Sequence, residues 1–396
     1  LHILQVNNYG YVRGGSDNYF LGLSNLLTGK GHVVIPLNTA DPRNAADTRW
    51  AVNGFRPETP RSRDIVRFLY SAAAKRTVKD LLGREQVDVA HLHIYYGQLT
   101  PSILGPLKRH DIPIVQTLHE YKLFCPRATM TRRGKPCTLC SGGSFWRAAW
   151  HRCNRDSFAR SLATSAEAYT SRMLGDVRNI DHFIAVSDFV RNAMIRFGIP
   201  EDRISTVHNY IDVDAYEPAY QAGDYYLYFG RIEKIKGLMT LLAAARQASA
   251  RLVVAGEGAL RTEVEREAAR QNLAVEVVGF KSGKDLHDLI RGCRCVVVPS
   301  EWHETFGLVI LEAYALGKPV IASRTGGIPE VVQEGTTGLL FEPGNALELA
   351  EAMTWMWSHP SRAVEMGRAG RKLAEDVFGK DSHCEQVLSI YKKVVR

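Results

Sequence analysis

The sequence predicts an α/β protein built from two doubly wound, Rossmann-like domains that face one another across a cleft. Three observations carry that expectation. The chain has 396 residues, more than one ordinary core organises and suited to two domains. Short apolar runs alternate with helical periods through both halves, the pattern of parallel sheets covered on both faces. Between the two series lies Asp212–Asp224, polar and poorly periodic, which reads as a linker. The composition, 45% hydrophobic and 23% charged, is that of an ordinary globular protein, and no apolar run reaches the ~18 residues of a membrane span.

In the first half the expected strands are His2–Val6, His32–Leu37, Val87–His93, Ile112–His119, His182–Val186 and Arg203–His208. Helices are expected at Ser16–Leu27 and at Asp188–Phe197, the second capped by Ser187. Thr39–Arg63 and Arg127–Ser144 read as loops. The second half gives strands Tyr225–Phe229, Arg251–Ala255, Val275–Gly279, Cys295–Pro299 and Pro319–Ala322. Its helices are expected at Gly237–Ala248, Leu260–Asn272, Phe306–Leu316 and Ala346–Ser358. The expected domains are therefore 1–212 and 213–379, with a C-terminal helix over 380–396 packing back on the first.

Ligands of open parallel sheets bind beyond the carboxyl ends of the strands, so polar residues just after a strand are the place to look. Gly230 follows the strand ending at Phe229, and Arg231 and Lys236 put two cations beside it. A planar guanidinium and a mobile ammonium suit a diphosphate; a solvated basic turn explains the spacing equally well. Glu304 and Glu312 flank the start of a helix expected near Phe306. The free amides at such a start favour phosphate, and the carboxylates stand roughly 10 Å apart along the axis. That separation matches a sugar and the ribose of one nucleotide, although an isolated pair is more often just a dipole-favoured residue and an exposed one. Gly256-Glu257-Gly258 and Gly326-Gly327-Ile328-Pro329 also follow strands, where each alone is only a turn.

Taken together, the ordered series GRIEKIKG, GEGALR, ETFGLVILEA and GGIPEVV resembles glycosyltransferase family 4 over nearly the whole chain. The resemblance implies the GT-B fold and a retaining transfer of sugar from a nucleoside diphosphate, UDP- or GDP-linked, to a hydroxyl of a glycan or lipid-linked acceptor. It places Arg231 and Lys236 on the donor diphosphate, Glu304 on the sugar hydroxyls and Glu312 on the ribose. The amides of Phe306, Gly307 and Leu308 would lie near sugar and phosphate, and Phe280 and Lys281 in the segment that reads the base. Gly230, Gly256, Gly258 and, in the first domain, Gly15 complete the implied donor set. Tyr9, Tyr11, Arg13 and Gly14 would line the acceptor side, and His119 would stand near the donor sugar; His91 or His93 also points that way. No catalytic cofactor is implied. A nucleotide-sugar epimerase of the same fold needs an internal acid/base pair and no acceptor. A non-catalytic nucleotide-sugar-binding protein is the other rival, and the intact glutamate pair speaks against it.

Two features lie outside the motifs. Cys125, Cys137, Cys140 and Cys153 include one Cys-x2-Cys and fit a structural zinc site; disulfides or four unlinked thiols fit as well. Residues 127–160 carry eight basic side chains against Asp156 alone, a net +7 within a chain of +8. Phe145, Trp146, Ala149 and Trp150 among these arginines fall on one helical face by their spacings. An anionic partner is therefore expected there, a membrane surface or an anionic acceptor, with nucleic acid disfavoured; packing of this face into the first domain is the ordinary alternative for such tryptophans. The opening run Leu1–Val6 reads as a strand, not a leader, so a cytoplasmic location is expected, with peripheral attachment to the inner face of the cell membrane.

Overall fold

The computed structural model describes residues 1–45, 49–54 and 62–395. Contacts divide it into two compact units, Leu1–Arg133 with Cys137–Val207 and Cys384–Arg396, and Gly134–Pro136 with His208–His383. The division falls after Val207 rather than after residue 212. The reason is local: the Ile211 amide donates to the Phe378 carbonyl, and His383 Nδ1 lies 2.7 Å from the His208 carbonyl.

The main sheet of the first unit holds six strands: β1 (His2–Val6), β2 (Val33–Leu37), β3 (Val89–Leu92), β4 (Ile114–Leu118), β5 (His182–Ala185) and β6 (Ile204–Thr206). All pair in parallel in the order β2-β1-β3-β4-β5-β6. Strands β3, β4 and β5 are buried throughout, polar His91, Gln116, Thr117 and His182 included, as strands of a doubly covered sheet should be. Ser187 caps helix Asp188–Arg196 by accepting from the Val190 amide, as expected. The loop expected over 39–63 lies partly outside the described residues; within them Thr39 bridges to Val52 and a helix runs Ser62–Leu69.

The second unit repeats the plan with β7 (Tyr226–Phe229), β8 (Leu252–Ala255), β9 (Val275–Gly279), β10 (Cys295–Val298), β11 (Val320–Ser323) and β12 (Gly338–Phe341). Their order is β9-β8-β7-β10-β11-β12, again all parallel. The winding therefore reverses between β7 and β10. Leu227 of β7 pairs with Val296 of β10, and Val254, Leu241, Ile321 and Met353 fill the core around them. The helix expected from Phe306 starts instead at Leu308, because Gly307 at φ 102° cannot be its first helical residue.

Helix Phe158–Met173 did not show in the sequence pattern. Its inward residues include Ser161, Ser165, Ala168 and Ser171, while Phe158, Leu162 and Met173 stay outside, the reverse of the usual polarity. The expected single face at 145–150 is also corrected. Phe145 and Ala149 are buried, whereas Trp146 and Trp150 are exposed. Residues one apart are about 100° apart on a helix, so these are two stripes. No helix among the described residues is long and apolar enough to cross a membrane.

Candidate functional site

The reversal between β7 and β10 is where an open α/β sheet offers a ligand crevice, and the motifs converge there. The turn after β7 carries Arg231 and Lys236; the loop after β10 carries Glu304. Lys236 Nζ lies 2.6 Å from Glu304 Oε1, joining the two sides. The hydroxyl of Ser300 donates to the same oxygen at 2.5 Å, and Lys236 stands 5.4 Å from the Trp302 ring centroid. Burial works against charge on Glu304, yet the Lys236 ammonium, with hydrogen bonds from Lys236, Ser300 and Trp302, holds its carboxyl below its ordinary value. Ser300 and Trp302 are site residues that the motif reading passed over.

Glycines weld the separate loops. Gly237, at φ 69°, lies so close to β10 that a Cβ would stand 1.8 Å from the Pro299 carbonyl oxygen, and the Glu301 amide donates to the Ile235 carbonyl. A Cβ on Gly326, at φ 60°, would stand 2.1 Å from the Glu304 carbonyl oxygen, the same oxygen to which the Gly327 amide donates. Only glycine meets both demands. The glycine pair after β11 thus fixes the backbone of Glu304. Gly256 and Gly258 abut Gly230 and Ile232 in the same way, and the Ile232 amide donates to the Glu257 carbonyl. Those contacts shape the turn that presents Arg231.

Arg231 is exposed and pairs with Glu233 at 3.0 Å. Phe306 is buried, its ring 5.8 Å from that of His208. Gly307 caps the helix Leu308–Ala315 without a side-chain hydrogen bond, and the first turn holds no acid, so its amides remain available to an anion. Glu312 lies one turn into that helix. Burial alone pushes its carboxyl up to about 7. Phe280 is exposed and Lys281 half-buried beyond β9. His208 and Glu330, paired at 3.1 Å, are further polar residues of this unit.

In the first unit, Gly14 and Gly15 are exposed at the start of helix Gly15–Gly29. Arg13 stacks on Tyr9 at 4.2 Å, and Tyr9 meets Tyr11 edge-on. His119 follows β4 and borders a small crevice with His93, Tyr96, Gln116 and Glu120. His93 is its partner: Nδ1 of His93 lies 3.1 Å from Nε2 of His119. Gln5 donates through Nε2 to the Tyr391 hydroxyl, which turns its Oε1 toward His93 Nε2 at 2.6 Å. The His93 proton therefore sits on Nε2, and Nδ1 accepts from His119. Burial, then His91 and His119, keeps His93 neutral, with its pKa well below the ordinary value. His91 turns instead to Tyr391 and Thr117. A larger surface hollow along Phe189, Arg191 and Glu201 touches none of the motif residues.

Cys125, Cys137, Cys140 and Cys153 are free thiols. Burial and then the neighbouring Cys125, Cys153 and Cys137 push Cys140 up to about 12, so the four face a common region. Among the described residues no three of them bring sulfur within 4.8 Å of one another, wider than a closed tetrahedral site.

Comparison with known sequences settles the family. Residues 13–215 match Glycosyltransferase Family 4, and residues 215–373 match Glycosyl transferases group 1. The chain belongs to glycosyltransferase family 4. Alpha-maltose-1-phosphate synthase of Mycolicibacterium smegmatis is 32% identical over 342 residues, 78% of this chain and 80% of its own. Two other family relatives match over about half their length. An uncharacterized glycosyltransferase of Methanocaldococcus jannaschii is 30% identical over 50% of this chain and 55% of its own. The O-antigen chain mannosyltransferase C of Escherichia coli is 30% identical over 42% and 46%. Among solved structures, sucrose-phosphate synthase from Thermosynechococcus elongatus superposes with a TM-score of 0.74 at 21% identity, covering 99% of this chain and 98% of that one. Anabaena HepE in complex with UDP-glucose gives 0.67 at 17% identity, covering 99% of both. The two doubly wound domains are thus those of the GT-B fold.

Proposed function

We propose that this family 4 protein transfers a sugar from a nucleoside diphosphate to a hydroxyl of a glycan or lipid-linked acceptor, with retention, in polysaccharide or glycoconjugate synthesis. The observation that carries the reading is the Lys236–Glu304 pair set at the point where the second sheet reverses. One cation and one carboxylate, locked together by Ser300 and Gly326, suit a ligand with a diphosphate beside sugar hydroxyls. The UDP and UDP-glucose in the HepE structures support a nucleotide sugar, as does the second carboxylate at Glu312.

The proposed step is a front-face displacement. The acceptor oxygen bonds to the anomeric carbon as its bond to the diphosphate oxygen breaks, and the acceptor proton passes to that departing oxygen. Arg231, Lys236 and the amides before and at Leu308 stabilise the charge that develops there. These groups neutralise the leaving group from the protein's own side chains and backbone. His119, held by neutral His93, orients the sugar. The four thiols are proposed to hold a structural zinc, which takes no part in this step.

The test is steady-state kinetics with nucleotide sugars and glycan acceptors. Arg231→Ala and Lys236→Ala should each lower kcat by about 100-fold, the usual loss on removing one group that stabilises developing charge; melting should be unchanged in Arg231→Ala, whose side chain is exposed, and lowered in Lys236→Ala, which strands the buried Glu304 carboxylate. Near-normal turnover in both variants sinks the assignment. Donor consumption without any acceptor, giving an isomerised nucleotide sugar, would identify an epimerase instead.

A further inference from the structure

We propose that the outer face of helices Trp146–Trp150 and Phe158–Met173 docks on an anionic lipid bilayer. Phe158, Leu162, Tyr169 and Met173 lie within about 60° of arc at ~100° per residue, and all four are exposed, Met173 by 81%. Trp146 and Trp150, on the short helix packed against them, are 54% and 74% exposed. Ile65 and Val66, likewise exposed, stand on helix Ser62–Leu69, which also packs on helix Phe158–Met173. The inward side of Phe158–Met173 is small and polar. The segment therefore spends its large apolar groups on the outside, where a soluble surface gains nothing from them.

Charge names the occupant. Arg152 and Arg155, in the turn that joins the two helices, are exposed, and neither has a carboxylate partner among the described residues. Arg147 lies over the Trp146 ring at 5.8 Å. Aromatic rings that enter a headgroup boundary, ringed by arginines that meet lipid phosphates, are the features of an interfacial surface. A second copy of this chain would bring the same positive charge to the same place and be repelled. A zwitterionic surface would take the rings but leave the arginines unmatched. Docking here would hold the first unit at a plane where a lipid-linked acceptor resides. The proposal itself rests on no step of the transfer reading.

The test uses the full chain without donor or acceptor, so failure here is distinct from failure of the proposed activity. Co-sedimentation with phosphatidylcholine vesicles containing phosphatidylglycerol should show binding at low salt that is lost at ~1 M salt, where screening length falls to ~3 Å. Pure phosphatidylcholine should bind far less. Replacing Arg152 and Arg155 together by Ser should weaken binding by ~30-fold, from ~1 kcal/mol per basic residue near such a surface. Trp150→Ser with Met173→Ser should weaken it as well, and both variants should melt as the parent does because these side chains are exposed. A blue shift of tryptophan emission on vesicle addition, reduced in Trp150→Ser and absent when Trp146 is replaced by Ser as well, should report ring insertion. No binding to the anionic vesicles at low salt overturns the proposal. A concentration-dependent blue shift without lipid, accompanied by dimerisation, overturns it in favour of a contact between copies.

Discussion

Glu312→Gln separates what a residue does for the fold from what it does for a ligand. The carboxyl sits half-buried on helix Leu308–Ala315, and burial alone lifts its pKa from 4.5 to about 7. Nearby, the Tyr216 hydroxyl is pushed up to about 12 by burial and then by the charge of Glu312. Below pH 4.5 the carboxyl is protonated in both folded and unfolded chains and costs nothing. Between 4.5 and 7 the folded chain keeps a proton that the unfolded chain has released, so stability falls as pH rises. Above 7 the full penalty remains. At 1.36 kcal/mol per pH unit its ceiling is about 3 kcal/mol. Gln keeps the shape and removes the charge, but it leaves an amide to satisfy, so a gain of about 1–3 kcal/mol at pH 8 is expected. In a domain of this size that is roughly 3–10 °C in Tm, shrinking toward zero by pH 4.5. The same variant should bind UDP or GDP more weakly, since a ribose diol donates better to a carboxylate than to an amide, by about tenfold for one charge-assisted bond. Scanning calorimetry across pH and titration calorimetry at pH 8 decide the matter. A variant no more stable than the parent at pH 8, or one that binds the nucleotide unchanged, refutes the reasoning.

Other consequences follow from particular contacts. Glu304→Gln should weaken binding of the sugar-bearing donor more than that of the free nucleoside diphosphate; equal losses in calorimetry contradict its assignment to the sugar. His93→Phe removes the acceptor for His119 and should lower kcat by about 10–100-fold at nearly constant KM, the loss typical of a positioned group, while His93→Asn should recover part of it; a His93→Phe enzyme with normal kcat dismisses the positioning role. Lys122 pairs at 2.6 Å with the buried Glu167, so Lys122→Ala should cost about 3–5 kcal/mol by stranding the carboxylate, measured by urea unfolding; a loss under 1 kcal/mol would show water reaching the pair. Zinc at the four thiols would draw the sulfurs to about 3.8 Å from one another, given Zn–S bonds of ~2.3 Å; elemental analysis should find about one metal per chain, lost in Cys137→Ser, and a metal-free chain of full activity and normal melting rejects the site.

Much of the fold was legible because parallel strands buried on both faces leave continuous apolar runs, as Leu252–Ala255 and Cys295–Val298 do. Strand β12 escaped notice because Gly338–Phe341 opens on glycine directly after the turn at 335–337, carries no β-branched residue and leaves Leu339 and Leu340 half-buried. Helix Phe158–Met173 was illegible for the opposite reason. It has a clear stripe, but the stripe points outward, and a reading that assigns apolar faces to the core has nowhere to put it. In the second unit the sequence pointed to Arg231, Lys236, Glu304 and Glu312 through the order of the motifs. It did not show that the glycines bind those motifs to one another, since a contact such as Gly326 against Glu304 joins residues 22 apart and leaves no mark in either segment alone.

The histidines show where local reading stops. His119 stands after β4, a position that strand-end reasoning finds. His93, the residue that orients it, ends the run through β3 and is fully sequestered, and nothing in the order of residues pairs the two. The pairing comes from adjacency of β3 and β4 in the sheet: His91 of β3 faces Val115 of β4, and each chain carries a histidine, His93 or His119, directly after its strand. Gln5 enters because β1 is the other neighbour of β3, and Tyr391 enters because the last helix returns to the same spot. Three residues scattered from position 5 to position 391 thus decide which nitrogen of His119 carries its proton. A substitution at Tyr391 should accordingly act on His119 through Gln5 and His93, although no motif contains it.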